Sequence, residues 1–286
     1  MSASNRSPEF MSSPTIVVDQ STSLEHVRPA SRPLLILFFL TLLGLGWARA
    51  THAAEAVILC YHRFGPTAAD SMTTRTSVFE QQLARLKSEG YQFVTLDAVI
   101  DGLQGRAPLP DKAVALTIDD GHVTVYSDLL PIIRRERLPV TLFIYPSAIS
   151  NASYAMSWDQ LRELKDTGLV AIQSHTYWHP NFKTERKRLD DAAYAKLVKV
   201  QLEKSRAVLK QRLGVEADVL AWPFGIHDPG LEAAAAVAGY RAALALGERR
   251  ARDADPPHAL PRFLIADATG VNGLVNLIKK GGEKPR

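Results

Sequence analysis

Cysteine is almost absent from the sequence. Cys60 is the only one in 286 residues, which excludes an intrachain disulfide framework and any CxxC metal or redox motif. The chain also lacks a block of basic residues interleaved with aromatic ones, and its net charge of +4 is mild. Nucleic acid is therefore not an expected partner. A barrel enzyme acting on a small molecule is an alternative, but it would more naturally carry a glycine-rich, phosphate-binding loop after a late strand, and the sequence contains none.

The longest apolar run is short for a membrane-spanning helix. It covers roughly 14 residues, Leu34 to Trp47, whereas a spanning helix needs about 20. Arginines precede the run and small residues follow it, as in a signal peptide. We predict a disordered extension over residues 1–33, rich in Ser, Pro and Arg. Residues 34–53 are predicted to be a signal peptide, or an anchor that attaches the chain to a membrane through residues 34–47. Both outcomes predict an exported protein that is periplasmic, secreted or at the cell surface.

From Glu55 onward, apolar strand-like runs alternate with helical patterns. Hydrophobic residues make up 46% of the chain, enough for a large core. Regular alternation predicts parallel strands joined by helices. Seven or eight such units in about 230 residues favour a distorted (β/α)7-8 barrel over an open sheet. We therefore expect residues 55–286 to form a single α/β catalytic domain.

Helix signals refine this expectation. Ser77 with Glu80, and Ser157 with Gln160, have the spacing of capping boxes at helix starts. The charged segment from roughly Glu185 to Leu213 predicts one long outer helix, because acidic and basic residues are interspersed along it.

Carboxylate and imidazole groups follow several predicted strands. Asp119 and Asp120 end one strand, His175 ends another with His179 in the loop behind it, and His62 ends the first. Functional groups of a parallel barrel lie at the carboxyl ends of its strands, so we expect all five on one rim. Taken alone, Asp-Asp-Gly is typical of a turn, but the two aspartates and three histidines together indicate a functional site.

Asp120, His175 and His179 are residue types that suit a divalent metal. Catalytic zinc typically has three protein ligands and leaves one position open to water. We predict zinc at these residues, with cobalt and nickel as alternatives. The neighbouring Asp119 would be free to act as a general base toward the attacking water.

The two motifs resemble those of the polysaccharide deacetylase family, carbohydrate esterase family 4, which is defined by the NodB homology domain. Its signatures T-F-D-D-G and H-S/T-x-x-H read TIDDG from Thr117 and HTYWH from His175 in this chain. The resemblance extends from Val57 to the C-terminus. It implies a NodB-like domain over residues 55–286, with Asp119 as the base and three metal ligands: Asp120, His175 and His179.

Two departures from the family pattern stand out. The third motif, R-x-P-F/Y, reads AWPFG from Ala221, so the arginine that would orient the base is absent. Arg262, on another strand, is a candidate replacement. The late histidine that serves as general acid has no clear match, since His258 fits poorly.

Both departures, with LCYHRF near the start of the domain, resemble the subgroup that deacetylates the biofilm polymer poly-β-1,6-N-acetylglucosamine. That subgroup has a permuted barrel order and an N-terminal histidine in the missing role, which His62 matches. Ile58, Cys60 and His62 share one face of a strand, so His62 reaches the pocket if that face lines the barrel. The alternative is an ordinary hydrogen-bonded polar residue at a strand end. Cys60 is interpreted as a small core residue.

The predicted function is metal-dependent removal of N-acetyl groups from an extracytoplasmic N-acetylglucosamine polysaccharide, with poly-β-1,6-N-acetylglucosamine as the first candidate. His62 would protonate the leaving amine and the Phe224 backbone N–H would help hold the oxyanion. Pro223, Phe224 and Trp222 are predicted to contact the substrate, with core packing as the alternative for the two aromatic side chains.

Other functions stay open at this point. Chitin oligomers and peptidoglycan need the same amide chemistry, whereas acetylated xylan is an ester. A carbohydrate-binding module without turnover would be expected to lack the base or a ligand, and this chain has all four core residues. The sequence leaves the oligomeric state open.

Overall fold

The computed structural model describes residues 54–282. The predicted extension at residues 1–33 and the predicted signal peptide or anchor at residues 34–53 lie outside this range. Among the described residues, no helix combines the length and apolar character needed to cross a membrane.

Strands and helices alternate through most of the described chain. The strands are β1 (Glu55–Tyr61), β2 (Arg63–Gly65), β3 (Thr73–Arg75), β4 (Gln92–Phe93), β5 (Ala113–Asp120), β6 (Val140–Ile144), β7 (Val170–Ser174), β8 (Val219–Ala221), β9 (Ala242–Leu244), β10 (Ala251–Arg252) and β11 (Phe263–Leu264). The helices are α1 (Thr76–Ser88), α2 (Leu96–Leu103), α3 (Leu130–Glu136), α4 (Trp158–Asp166), α5 (Phe182–Arg188), α6 (Asp191–Leu213), α7 (Pro229–Val237) and α8 (Gly270–Lys280). A π-helical turn (Val125–Leu129) leads into α3, and short 3₁₀ turns lie at Pro223–Gly225 and Asp267–Thr269.

The main sheet is a distorted barrel. Its strand order is β10-β1-β5-β6-β7-β8-β9, with β4 added to β5 and β11 to β1. All these pairs are parallel except β1 with β10. Leu260 forms a parallel bridge with β9, and β11 directly after it pairs with β1. The segment 260–264 therefore joins both edges of the curled sheet, and the predicted α/β barrel is confirmed.

Successive strand residues contribute to different apolar clusters. Ile58 and Ala115 belong to a cluster rich in alanine, whereas their neighbours Leu59 and Leu116 pack in a larger cluster, and both clusters include residues of the surrounding helices. Strands covered on both faces are typical of parallel sheets. Because the strands run in the same direction, their carboxyl ends meet at one rim, where chemical groups are held by a rigid frame.

Two helix predictions are wrong. The segment Glu185–Leu213 is not one helix, because Leu189 is extended and the Asp190 side chain starts α6 by accepting a hydrogen bond from the Ala193 N–H. The box at Ser77 does not form either. Helix α1 starts earlier, with Arg75 at its N-cap and no side-chain cap hydrogen bond.

The second capping box is confirmed. The Ser157 hydroxyl accepts from the Gln160 N–H at 3.2 Å, and the Gln160 side chain accepts from the Ser157 N–H at 2.8 Å.

We expect Ser157→Ala to lower the free energy of unfolding by about 1 kcal/mol, since a backbone N–H at the start of α4 loses its partner. Ser77→Ala is the matched control. Ser77 is exposed and caps nothing, so its change should stay within about 0.5 kcal/mol. Equal losses in urea unfolding would contradict the assignment.

Candidate active site

Asp119 and Asp120 both face the site, although neighbouring residues of a strand normally point to opposite faces. The backbone explains this exception. Asp120 and Gly121 have left-handed φ values of 76° and 77°, which turn the chain at the end of β5. A Cβ at Gly121 would lie 2.9 Å from Ile144 Cγ2, so a larger residue does not fit the turn. Left-handed non-glycine residues are often found at functional sites, where the surrounding structure maintains them.

His175 and His179 extend from the loop after β7. The Nδ1 atom of His175 lies 2.8 Å from the Ala221 carbonyl oxygen. A carbonyl oxygen only accepts, so Nδ1 donates and the lone pair of a neutral ring is on Nε2. Thr176 and His179 have left-handed φ values of 65° and 62°, and this tight loop brings the two rings to a centroid distance of 4.6 Å.

The histidine pair and Asp120 fit a divalent cation. Both Nε2 atoms lie 3.7 Å from Asp120 Oδ1, which is too far for a hydrogen bond. Nitrogen and oxygen ligands around tetrahedral zinc, with bonds of about 2.0–2.2 Å, are separated by about 3.4 Å. Burial lowers the pKa of His179, and the neighbouring His175 lowers it further. His179 is therefore neutral near pH 7 and keeps a lone pair for a metal.

Asp119 forms a bidentate ion pair with Arg262. Nη1 and Nη2 of Arg262 donate to Oδ1 and Oδ2 of Asp119, each at 2.8 Å, and Nη1 also donates to the Thr117 hydroxyl at 3.1 Å. Asp119 is 3% exposed and Arg262 1%. Burial alone would raise the pKa of Asp119, but the Arg262 charge outweighs it and holds the pKa well below its usual range. Asp119 is thus ionised and fixed in orientation.

His62 and Cys60 also lie close to Asp119. The Cys60 thiol donates to Asp119 Oδ2 at a sulfur–oxygen distance of 3.4 Å. His62 is partly exposed, and its buried Nδ1 has no hydrogen-bond partner among the described residues. Burial lowers the pKa of His62, while the charges of Asp119 and Asp120 oppose that shift.

The three residues predicted to contact substrate differ in their surroundings. Phe224 has a left-handed φ of 58°, is 58% exposed, and its ring centroid lies 4.6 Å from that of His179. Trp222 is fully buried, packs edge-on against Phe182, and donates from Nε1 to the His258 carbonyl. The Trp222 side chain therefore packs in the core, which is the alternative interpretation given for it above. Pro223 is buried as well.

Sequence reasoning missed Tyr145. It directly follows β6, so its position at a strand end was an available signal. Its ring centroid lies 5.2 Å from that of His179, and its hydroxyl is 2.6 Å from the hydroxyl of Tyr154. Tyr154 and Trp178 are each 41% exposed. Together with Phe224, they give the rim an aromatic border.

Gln201 was missed too, and no local pattern marks it. It lies fully buried on α6. Its Oε1 accepts from the backbone N–H groups of Tyr177 and Trp178, at 3.2 and 2.9 Å. It therefore anchors the loop that carries both histidines from behind.

The comparisons with known proteins agree with this geometry. Residues 106–243 match the family model described as polysaccharide deacetylase. The solved structure of Streptococcus pyogenes deacetylase PplD superposes with a TM-score of 0.70 at 22% identity, covering 79% of this chain and 99% of that one. Residues 106–243 therefore carry a polysaccharide deacetylase domain, as the motifs predict, and the superposition supports the fold.

More specific similarity is to poly-beta-1,6-N-acetyl-D-glucosamine N-deacetylases. The Escherichia coli K12 protein of that name is 28% identical over 204 residues, which cover 59% of this chain but only 30% of the relative. The Staphylococcus aureus MRSA252 protein of that name is 26% identical over 196 residues, 67% of each chain. IcaB from Ammonifex degensii superposes with a TM-score of 0.67 at 26% identity, covering 79% of this chain and 97% of that one.

The Asp119–Arg262 pair gives a stability prediction. Arg262→Met leaves a buried, uncompensated carboxylate, and we expect it to lower the free energy of unfolding by about 3–5 kcal/mol. Adding Asp119→Asn should restore part of that loss, because the buried charge is then absent. Urea unfolding of wild type, both single variants and the double variant checks this. If the double variant loses as much free energy of unfolding as the two single variants lose together, the pairing is contradicted.

Gln201 gives a prediction about metal affinity. Gln201→Leu removes the acceptor for two loop N–H groups, and we expect zinc to bind about 10-fold to 100-fold more weakly, as when a group supporting a metal ligand is lost. Gln211→Leu, at an exposed position on the same helix, should bind as wild type does. Titration calorimetry of the metal-free proteins gives both affinities. Equal affinity in Gln201→Leu and wild type would contradict the anchoring role.

Proposed function

We propose that this protein is a metal-dependent N-deacetylase of an exported N-acetylglucosamine polymer, with poly-β-1,6-N-acetylglucosamine as its substrate. The observation that carries the proposal is the arrangement of four groups on one rim. Asp119, ionised and fixed by Arg262, lies beside the Asp120–histidine set, with 3.8 Å between its Oδ2 and His175 Nε2. An ionised base next to a cation site is what amide hydrolysis requires.

In this mechanism, Asp120, His175 and His179 hold the metal, with zinc as the first candidate and cobalt or nickel as alternatives. A bound divalent cation would polarise the acetyl carbonyl and make water easier to deprotonate, so that a weakly basic carboxylate is sufficient. Asp119 accepts the proton from the attacking water. Because Arg262 fixes both oxygens, the carboxylate does not have to reorient before it reacts.

His62 is the proposed proton donor to the leaving nitrogen. Its imidazole lies close to Asp119, with one ligand atom of each within 4.8 Å of the other. In its protonated form, this imidazole would be positioned to donate a proton to the departing amine. The Phe224 N–H is the proposed oxyanion donor, since the left-handed turn there orients the backbone at the edge of the site.

The polymer is inferred from two kinds of support. Relatives named for poly-beta-1,6-N-acetyl-D-glucosamine match 59% and 67% of this chain, and exposed aromatic side chains border the rim. Tyr154, Trp178 and Phe224 could pack against sugar rings. Chitin oligomers and peptidoglycan present the same amide group and are the alternative substrates, while acetylxylan requires ester cleavage. Export is part of the proposal because such polymers lie outside the cytoplasm.

Acetate release tests the function. Protein stripped of metal and reloaded with zinc, cobalt or nickel should release acetate from poly-β-1,6-N-acetylglucosamine faster than from chitin oligomers, peptidoglycan or acetylxylan. Asp119→Asn should lower kcat about 100-fold or more, because the general base is lost. Asp111→Asn, at an exposed position, is the matched control and should keep the wild-type rate.

Two results would reject parts of the proposal. No acetate from any of the four polymers with any of the three metals would reject the deacetylase function. Full metal-dependent activity in Asp119→Asn would reject the role of the base and leave the function itself standing.

A further inference from the structure

A second group of metal-ligating side chains lies beside the proposed catalytic site. Cys60, His62 and Asp119 each offer one ligand atom, and these atoms lie within 4.8 Å of one another. The group is separate from the Asp120–histidine set, although His175 Nε2 is only 3.8 Å from Asp119 Oδ2. The proposed mechanism uses His62 and Asp119 but leaves the thiol without a role.

The sulfur and oxygen atoms have the spacing of two ligands on one ion. Cys60 Sγ lies 3.4 Å from Asp119 Oδ2. Zinc bonds of about 2.3 Å to sulfur and about 2.0 Å to oxygen, at a tetrahedral angle, separate the two ligand atoms by about 3.5 Å. The separation of the thiol and the carboxylate therefore fits one shared ion, which would replace the present hydrogen bond between them.

The third member of the group lacks a partner of its own. His62 Nδ1 is buried and has no hydrogen-bond partner among the described residues. A buried polar atom without a partner is unfavourable and calls for an explanation. A ligand pair of imidazole and thiolate binds soft divalent ions in preference to magnesium or calcium.

We propose that Cys60, His62 and Asp119 form a second, inhibitory site for a thiophilic divalent cation such as cadmium, or zinc in excess. On binding, the Cys60 S–H bond breaks, a sulfur–metal bond forms, and the proton leaves to solvent. No electron is transferred. The binding site stands on geometry alone, whereas the inhibitory consequence rests on the proposed function.

Occupancy of this site would stop the reaction for a simple reason. Asp119 cannot accept a proton from water, and His62 cannot donate one, while both bind an ion. The Arg262 guanidinium contacts the same carboxylate, and its positive charge weakens cation binding there. The second site is therefore filled only after the Asp120–histidine set, when metal is in excess.

The single cysteine makes the site directly observable. Protein carrying one equivalent of zinc is titrated with cadmium, and the near-ultraviolet charge-transfer absorption of a cadmium–thiolate bond is followed. We expect this band to saturate at one cadmium per chain in wild type and to be absent in Cys60→Ala and Cys60→Ser. Cadmium that replaces zinc at the Asp120–histidine set produces no such band, because that set contains no sulfur.

The same titration is followed by acetate release, with each protein compared with its own rate before cadmium is added. Inhibition should follow the band in wild type and require at least tenfold more cadmium in the two Cys60 variants. A wild-type protein without the band would overturn the second site, and this readout needs no enzymatic turnover. A saturated band with undiminished acetate release would overturn the inhibitory role. Circular dichroism confirms that each variant is folded, and either variant suffices for the comparison.

Discussion

The ion pair between Asp119 and Arg262 is the contact on which the site depends. It links β5, in the middle of the sheet, to the segment that closes the barrel. Both side chains are buried, so each charge would be unfavourable without the other. The guanidinium also contacts the Thr117 hydroxyl and the Ala245 carbonyl, and lies 5.5 Å from the centre of the Phe143 ring. Barrel closure and the orientation of the proposed base are therefore one structural feature.

The remaining groups are held by different supports around this pair. The Ala221 carbonyl sets the tautomer of His175, and Gln201 anchors the histidine loop from α6. Left-handed residues at the ends of β5, β7 and β8 turn short segments toward the same pocket. Strained turns supported by rigid strands are a common arrangement at functional sites, because the frame maintains conformations that the local sequence would not favour.

Local sequence was sufficient to predict those parts of the site whose residues lie close together along the chain. The strand ending in Asp119 and Asp120, and the histidines four residues apart, are visible as motifs, and strand–helix alternation predicts the barrel. Arg262 is 143 residues from Asp119, so no local pattern links the two. Arg262 was suggested only because the third family motif lacks its arginine in this chain. Gln201 has no local signature, since its role arises from helix packing. Sequence left two interpretations of Trp222 open, because an aromatic residue in a motif gives no indication of which side of the sheet it faces.

The order in which the chain is synthesised gives barrel closure a further meaning. Asp119 emerges from the ribosome well before Arg262, and until segment 260–264 docks between β9 and β1 the carboxylate has no guanidinium beside it. The aspartate is then better solvated than buried, which favours a loose pocket in the incomplete chain. The proposed base therefore gains its guanidinium only when segment 260–264 closes the barrel. Asp120, His175 and His179 all precede Arg262 in the chain, so the three proposed metal ligands are synthesised before the guanidinium that orients the proposed base.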